Sequence, residues 1–148
     1  MIADAMGRVP ASAKVFDEAA TTIVATTAAA DPVVVSAWRA AGAEVVAFES
    51  DGAGGVELPG VLTDLGKRDV QGLLVEGGAR IAWSFVRDGL VDRVVCYVAP
   101  KFVGGTLAPG ALGGEGFAPI GSALELRFER VDRIGDDLRV EADVHRHR

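Results

Sequence analysis

Short aliphatic runs alternate with amphipathic stretches through the first two thirds of the chain. IVATT at 23–27 and AEVVAF at 43–48 are apolar and β-branched, which predicts strands. Between them, DPVVVSAWRAAG at 31–42 predicts a helix: Asp31 suits the N-cap, Pro32 the first helical position and Gly42 the stop. A Gly- and Asp-rich loop, SDGAGGVELPG, leads to a helical stretch around VLTDLGKRD. GLLVEGG at 72–78 is a third aliphatic run and predicts a third strand. ARIAWSFVRDG then predicts an amphipathic helix with Ile81, Phe85 and Ala82 turned inward and Gly89 as its stop, and DRVVCYVAP a fourth strand ended by Pro100.

After a Gly-rich stretch from Gly104 to Gly121, the period changes. ALELRFERV and DLRVEADVHR alternate apolar and polar residues in steps of two, joined by DRIGD, so they predict a hairpin with Leu124, Leu126 and Phe128 on one face. The pattern implies an α/β fold: βαβ units forming a mainly parallel sheet, helices on both faces, and a C-terminal antiparallel hairpin. Neither an internal repeat nor a dividing linker is visible, and 148 residues suit one domain.

Composition narrows the function classes. The chain is 49% apolar and 24% charged, as ordinary globular proteins are. No apolar run reaches the roughly 18 to 20 residues of a membrane span, and the N-terminus lacks a signal-peptide pattern, so a cytoplasmic location is expected. A net charge of -6 speaks against nucleic acid as a partner, although a helix start and a few donors can still hold a phosphorylated ligand. The single cysteine, Cys96, cannot form an internal disulfide and reads as packing in a buried strand.

The stretch with most chemical content is VEGG. A strand ending in Gly77-Gly78 and passing straight into a helix aims that helix's free amides and positive dipole end beyond the strand's carboxyl edge, which makes an anion site. Without Cβ atoms, the glycines let a phosphate approach the backbone. A second reading stays open on the local pattern: the glycines make a tight turn and Glu76 caps the helix. Glu76 would repel a bound phosphate, so its better use is to accept hydrogen bonds from hydroxyl or amino groups of a neutral ligand beside the anion.

VEGGARIAWSFVRDGLVDRVVCYVAPKFVGG resembles the reductase domain of the riboflavin-biosynthesis bifunctional deaminase/reductase family, whose pattern is VEGG, a helix, GLVDE, a strand ending in AP and a GG loop. ADAMGRVP and AKVF extend the resemblance upstream and IGDDLRVE downstream, so it spans essentially the whole chain. It implies a dihydrofolate-reductase-like fold, a homodimer, and hydride transfer from NADPH to C1′ of a phosphorylated ribosylamino-pyrimidine, 5-amino-6-(5-phosphoribosylamino)uracil, which becomes the ribityl compound. On matching positions, Glu76 corresponds to the substrate-contacting glutamate, and Gly78, Ala79, Arg80, Ile81, Ala82, Trp83 and Ser84 to the segment around the NADPH pyrophosphate. Ser84 lies too deep in the helix to reach an anion directly, so its assignment comes from the resemblance alone. No residue is assigned as catalytic acid or base.

Departures from the pattern are equally informative. The deaminase signatures, HxE and PCxxC, do not occur, which excludes deamination by these residues. The chain opens at MIADAMGR, so the family's N-terminal strand and its lysine-, serine- and threonine-bearing substrate groups are expected to be missing, and Ala5 stands where a family serine follows the first aspartate. Two further readings stay open: a dihydrofolate-type pteridine reductase, and a silent remnant that binds nucleotide or supports a dimer. The remaining candidates carry no assigned role. His145 and His147 read as a solvated tail rather than a metal site, and no metal is expected. Trp38 and Trp83 read as packing. Thr26 and Thr27 could meet a 2′-phosphate or simply end a strand. Asp132, Arg133, Asp136 and Asp137 read as a hairpin turn, Asp92 as orienting the next strand or pairing with Arg93, and 104–121 as either a lid or a long connection.

Overall fold

The computed structural model describes residues 1–17, 19–105 and 107–145. Two compact units divide the chain, Met1–Leu74 and Val75–Arg148. His147 lies outside the described residues.

In the first unit, β1 (Ile2–Ala3), β2 (Ile23–Thr26) and β3 (Glu44–Ala47) form a parallel sheet in that spatial order. The crossover from β2 to β3 is α1 (Pro32–Ala40), whose Asp31 caps by accepting the Val33 amide at 2.8 Å, with Pro32 in the first turn. Gly42 follows at φ +88°, where a residue with a Cβ would be strained. After β3 comes α2 (Leu58–Lys67), three residues earlier than its apolar period suggests. ELPG is its start, not loop: Glu57 caps by accepting the Gly60 amide at 2.7 Å, and Pro59 sits in the first turn, where its missing N–H is not needed.

The alternation of β2 decides the packing. Val24 packs with Trp38 and Ala43 and, around them, Val34, Val35 and Phe16 on one face. Its neighbour Ala25 packs with Ala5, Val56, Val61 and Leu65 on the other. Successive residues of a strand point to opposite faces, so α1 and α2 cover the sheet from both sides, as the βαβ pattern implies. Trp38 is fully buried, and its indole N–H donates to the Val9 carbonyl at 2.8 Å.

In the second unit, α3 (Ala79–Arg87) is followed by β4 (Arg93–Val98) and the hairpin β5 (Leu126–Ile134) and β6 (Asp137–Val144). These three strands form an antiparallel sheet in the order β4-β6-β5. Ile134 pairs with Asp137 across a two-residue turn at Gly135 (φ +63°), which is the turn read from DRIGD. A bulge lies between Phe128 and Arg130, with Glu129 as the extra residue. Because a one-residue slip reverses every side chain, the bulge brings Val131 onto the face of Leu126 and Phe128. Pairing places Val94, Cys96, Val98, Leu138, Val140, Ala142 and Val144 on that same apolar face.

Two expectations need correction. GLLVEGG forms no strand: residues 71–78 enter neither sheet, and Leu74 is 76% exposed. An aliphatic run becomes a strand only where neighbours take up its amides and carbonyls, and no ladder among the described residues reaches this one. Cys96 does lie in a strand, but it is exposed, because the sheet face it shares is largely bare. The mixed α/β class stands, but in two three-stranded sheets rather than one mainly parallel sheet: β1, β2 and β3 are parallel, whereas β4, expected to continue the parallel series, pairs antiparallel with the hairpin. No helix among the described residues is long and apolar enough to cross a membrane.

Candidate functional site

Gly78 is the N-cap of α3 and supplies no side-chain hydrogen bond to its first turn. The first intrahelical bond runs from the Ala82 amide to the Gly78 carbonyl at 3.3 Å, which leaves the amides of Ala79, Arg80 and Ile81 without an intrahelical acceptor. A Cβ built on Gly78 would meet nothing within 4 Å, so the cap opens onto free space. Gly77 is different: a Cβ there would come within 2.3 Å of Ile81 Cγ2, and only glycine lets the chain pass so close to the helix. Glu76 is exposed just before this turn and does not cap the helix.

The Gly-rich stretch docks on the same helix. The Gly113 amide donates to the Ala79 carbonyl at 2.8 Å, and Gly114 (φ +76°) lies so close over Trp83 that a Cβ would fall 1.9 Å from the indole Cδ1. Phe117 meets the Trp83 ring edge-on at a centroid distance of 5.0 Å. Trp83 is therefore a packing group. Ser84 donates to the Arg80 carbonyl at 3.2 Å, in keeping with its depth in the helix. Phe85 and Val86 are the buried residues of α3, while Ile81 and Ala82 are half-buried. An i, i+4 reading found Phe85 and missed Val86.

The first unit carries a second candidate. A pocket of about 530 Å³ lies at the carboxyl ends of β2 and β3, walled by Thr27, Ala28 and Ala29 from one strand end, Ala47, Phe48, Glu49 and Ser50 from the other, and Glu57 and Gly60 of α2. Open parallel sheets bind ligands at this edge. Thr26 and Thr27 do not offer it free donors: both are buried, and their hydroxyls donate to the Asp4 and Ala5 carbonyls at 2.7 and 2.8 Å. They latch β2 to the chain leaving β1. Asp4, buried at the end of that strand, gathers the loop behind it, accepting the amides of Met6, Gly7, Arg8 and Val9 at 3.3, 3.1, 2.6 and 2.7 Å.

Sequence reasoning passed over Glu49, Glu57 and Asp4. The available signal was position: each acid follows or precedes an element by one or two residues, where capping and ligand binding concentrate. The other candidates fall where a structural role puts them. Arg93 pairs with Asp143 at 2.6 Å across β4 and β6, not with Asp92, whose carbonyl accepts the Val144 amide at 2.9 Å. His145 is exposed, and the described residues hold no cluster suited to a metal ion.

The family model described as the RibD C-terminal domain matches residues 1–140. The chain belongs to that family. Among relatives of this RibD C-terminal domain, the riboflavin biosynthesis protein RibD of Bacillus amyloliquefaciens is 35% identical over 100% of the chain and 42% of its own length. The 2,5-diamino-6-ribosylamino-4(3H)-pyrimidinone 5′-phosphate reductase of Methanothermobacter thermautotrophicus is 33% identical over 97% of the chain and 65% of its own length. The chain thus spans less than two thirds of either relative. Among solved structures, RibD of Acinetobacter baumannii superposes with a TM-score of 0.76 at 22% identity, covering 95% of the chain and 36% of that protein. A pyrimidine reductase-like protein of Corynebacterium diphtheriae gives 0.77 at 17% identity, covering 97% and 59%. At those identities the likeness establishes the fold alone.

Proposed function

We propose that the chain serves riboflavin biosynthesis as a pyrimidine reductase, reducing the ribosyl group of 5-amino-6-(5-phosphoribosylamino)uracil to ribityl at C1′. The observation that carries the reaction is the match, over nearly the whole chain, to a relative named as a ribosylamino-pyrimidinone phosphate reductase. A reduced nicotinamide dinucleotide, NADPH by the family resemblance, supplies the hydride when bound. The uncapped start of α3 supports a place for its diphosphate. There the amides of Ala79, Arg80 and Ile81 lack intrahelical acceptors beside a glycine that leaves room for an anion. On this reading Glu76, exposed just ahead of the turn, accepts hydroxyl or amino hydrogens of the substrate. Residues Gly78 to Ser84 form the cofactor segment, with the amides of its first turn as the binding groups and Trp83 and Ser84 as its internal supports.

The reading extends to a homodimer in the cytoplasm. The resemblance implies the pairing, and the apolar face of the antiparallel sheet offers a surface for it: Leu126, Phe128, Val131, Val98 and Leu138 are all exposed there.

Gly78→Asp tests the site. Aspartate is a good N-cap, so α3 keeps its stability while a carboxylate takes the place of the diphosphate. The expected outcome is an unchanged circular dichroism spectrum with nicotinamide fluorescence titration reduced to baseline. Undiminished dinucleotide binding by the variant would remove the α3 start from the site. Failure of the unaltered chain to oxidise either reduced dinucleotide in the presence of the phosphorylated pyrimidine would count against the reaction itself.

A further inference from the structure

We infer that residues 113–117 form a strap that holds the first turn of α3 in shape for its ligand, with Gly114 on Trp83 as the latch, so that Gly113, Gly114 and Phe117 are positioning residues for dinucleotide binding. This rests on the reductase reading, which puts the diphosphate at that helix start, and adds the element that sets its affinity.

A helix that begins on glycine begins loosely. Gly78 has no side chain to hold the turn behind it, and the amides of Ala79, Arg80 and Ile81 lack intrahelical acceptors. Unrestrained, such a turn frays, and an anion has to order it on binding, which lowers affinity.

The strap supplies the restraint. The Gly113 amide donates to the Ala79 carbonyl at 2.8 Å, and a Cβ on Gly113 would stand 3.2 Å from the Ala79 carbonyl carbon and 3.3 Å from the Arg80 nitrogen, so backbone lies on backbone. One residue on, Gly114 lies over the Trp83 indole, and Phe117 meets the ring edge-on at 5.0 Å. Ala79 and Trp83 are four residues apart and share one face of α3. The strap therefore grips the helix at two points one turn apart. Gly78 stays clear of it, since a Cβ there would meet nothing within 4 Å. The turn is held from its side while its amide end is left open.

The path of the strap is demanding. Gly114 (φ +76°) and Gly116 (φ +70°) both take left-handed backbone that a side chain would strain, and Gly114 also has no room for one. A connection from β4 to β5 needs none of this, whereas docking on the start of α3 does.

The test is a set of nicotinamide-fluorescence titrations of the full chain with NADPH, each run where urea unfolding shows the variant fully folded. Gly114→Ala drives a methyl group into the indole, so the strap or the ring must move, and NADPH should bind about tenfold more weakly. Trp83→Leu removes the ring from the other side of the latch and should weaken binding by a similar factor. The double variant should be no weaker than the worse single one, because both break the same contact. Phe117→Leu removes only the edge-on pair and should cost about threefold. A strap that merely packs would lower stability and leave affinity where it was, and that result overturns the inference, as do losses that add in the double variant. Should Gly114→Ala fail to fold, Trp83→Leu and Phe117→Leu decide the matter, and unaltered affinity in both overturns it. Binding that Gly78→Asp abolishes but the strap variants leave intact strikes this inference alone. No NADPH binding by the unaltered chain, or binding indifferent to Gly78→Asp, strikes the cofactor site and the strap together.

Discussion

The two units each contain a three-stranded sheet, yet they solve the problem of burial differently. In the first, the central strand β2 is buried on both faces, with Trp38 and Val24 on the α1 side and Ala25, Val61 and Leu65 on the α2 side. In the second, the central strand β6 has a hydrogen-bonded neighbour along each edge, but Ala142 is its only fully buried residue. Edge pairing satisfies backbone groups, whereas covering a face removes apolar area from water, and covering contributes more to net stability. A parallel βαβ unit supplies its own cover because the crossover is a helix, whereas a hairpin supplies none.

The greatest expected effect separates the units by stability. Trp38→Ala removes a fully buried indole and leaves the Val9 carbonyl without its donor, so it should cost about 3–5 kcal/mol in urea unfolding. The same truncation at Phe128, which is 71% exposed, should change the stability of the isolated chain by less than about 0.5 kcal/mol. If the two losses prove similar, the contrast between covered and bare sheets is wrong.

A second, smaller effect concerns association. Phe128→Asp puts a charge in the middle of the exposed apolar face, beside Ala142 across the ladder. Sedimentation should show the proposed dimer shifted toward monomer, with the far-ultraviolet spectrum preserved. A dimer that tolerates this substitution and Val131→Asp alike would have to use another surface.

Legibility follows the same division. The first unit could be read because its signals are local: Asp31, Pro32 and Gly42 bound α1, and β2 opens with the apolar run Ile23-Val24-Ala25, as a strand buried on both faces should. The hairpin was legible from its period of two and the Gly135 turn. GLLVEGG misled because aliphatic content states a preference for burial without saying whether a partner strand is at hand. Cys96 misled for the same reason, since exposure of a sheet face depends on what lies over it, and the strand's own pattern is silent on that. In the candidate site, Gly77-Gly78 stood out as a pair whose need for small residues is local, and the structure gives them different duties. Glu49 and Glu57 were hidden because their meaning arises only when β3, its following loop and the start of α2 are brought together around one pocket.

The smallest expected effect uses one arginine clamp in each unit. Arg68, at the end of α2, donates from Nη1 and Nη2 to Glu44 at 2.8 and 2.6 Å and from Nε to Asp64 at 2.7 Å, tying the helix to the start of β3. Arg93 donates from Nε to Asp143 at 2.6 Å, tying β4 to β6. The Arg68 hydrogen bonds hold the Glu44 carboxyl below its ordinary value of 4.5, and the Arg93 hydrogen bonds hold Asp143 below its ordinary 3.8. A carboxyl lowered by folding contributes stability that is complete above its ordinary value and fades as the pH falls through the lowered one. Both pairs are exposed and salt-screened, so the change in stability should be slight. Carboxyl-resolved NMR titration is the sharper readout: Arg68→Ala should return Glu44 toward 4.5 and leave Asp143 where it was, and Arg93→Ala should do the converse. If either substitution moves both carboxylates, the clamps are not local to their units.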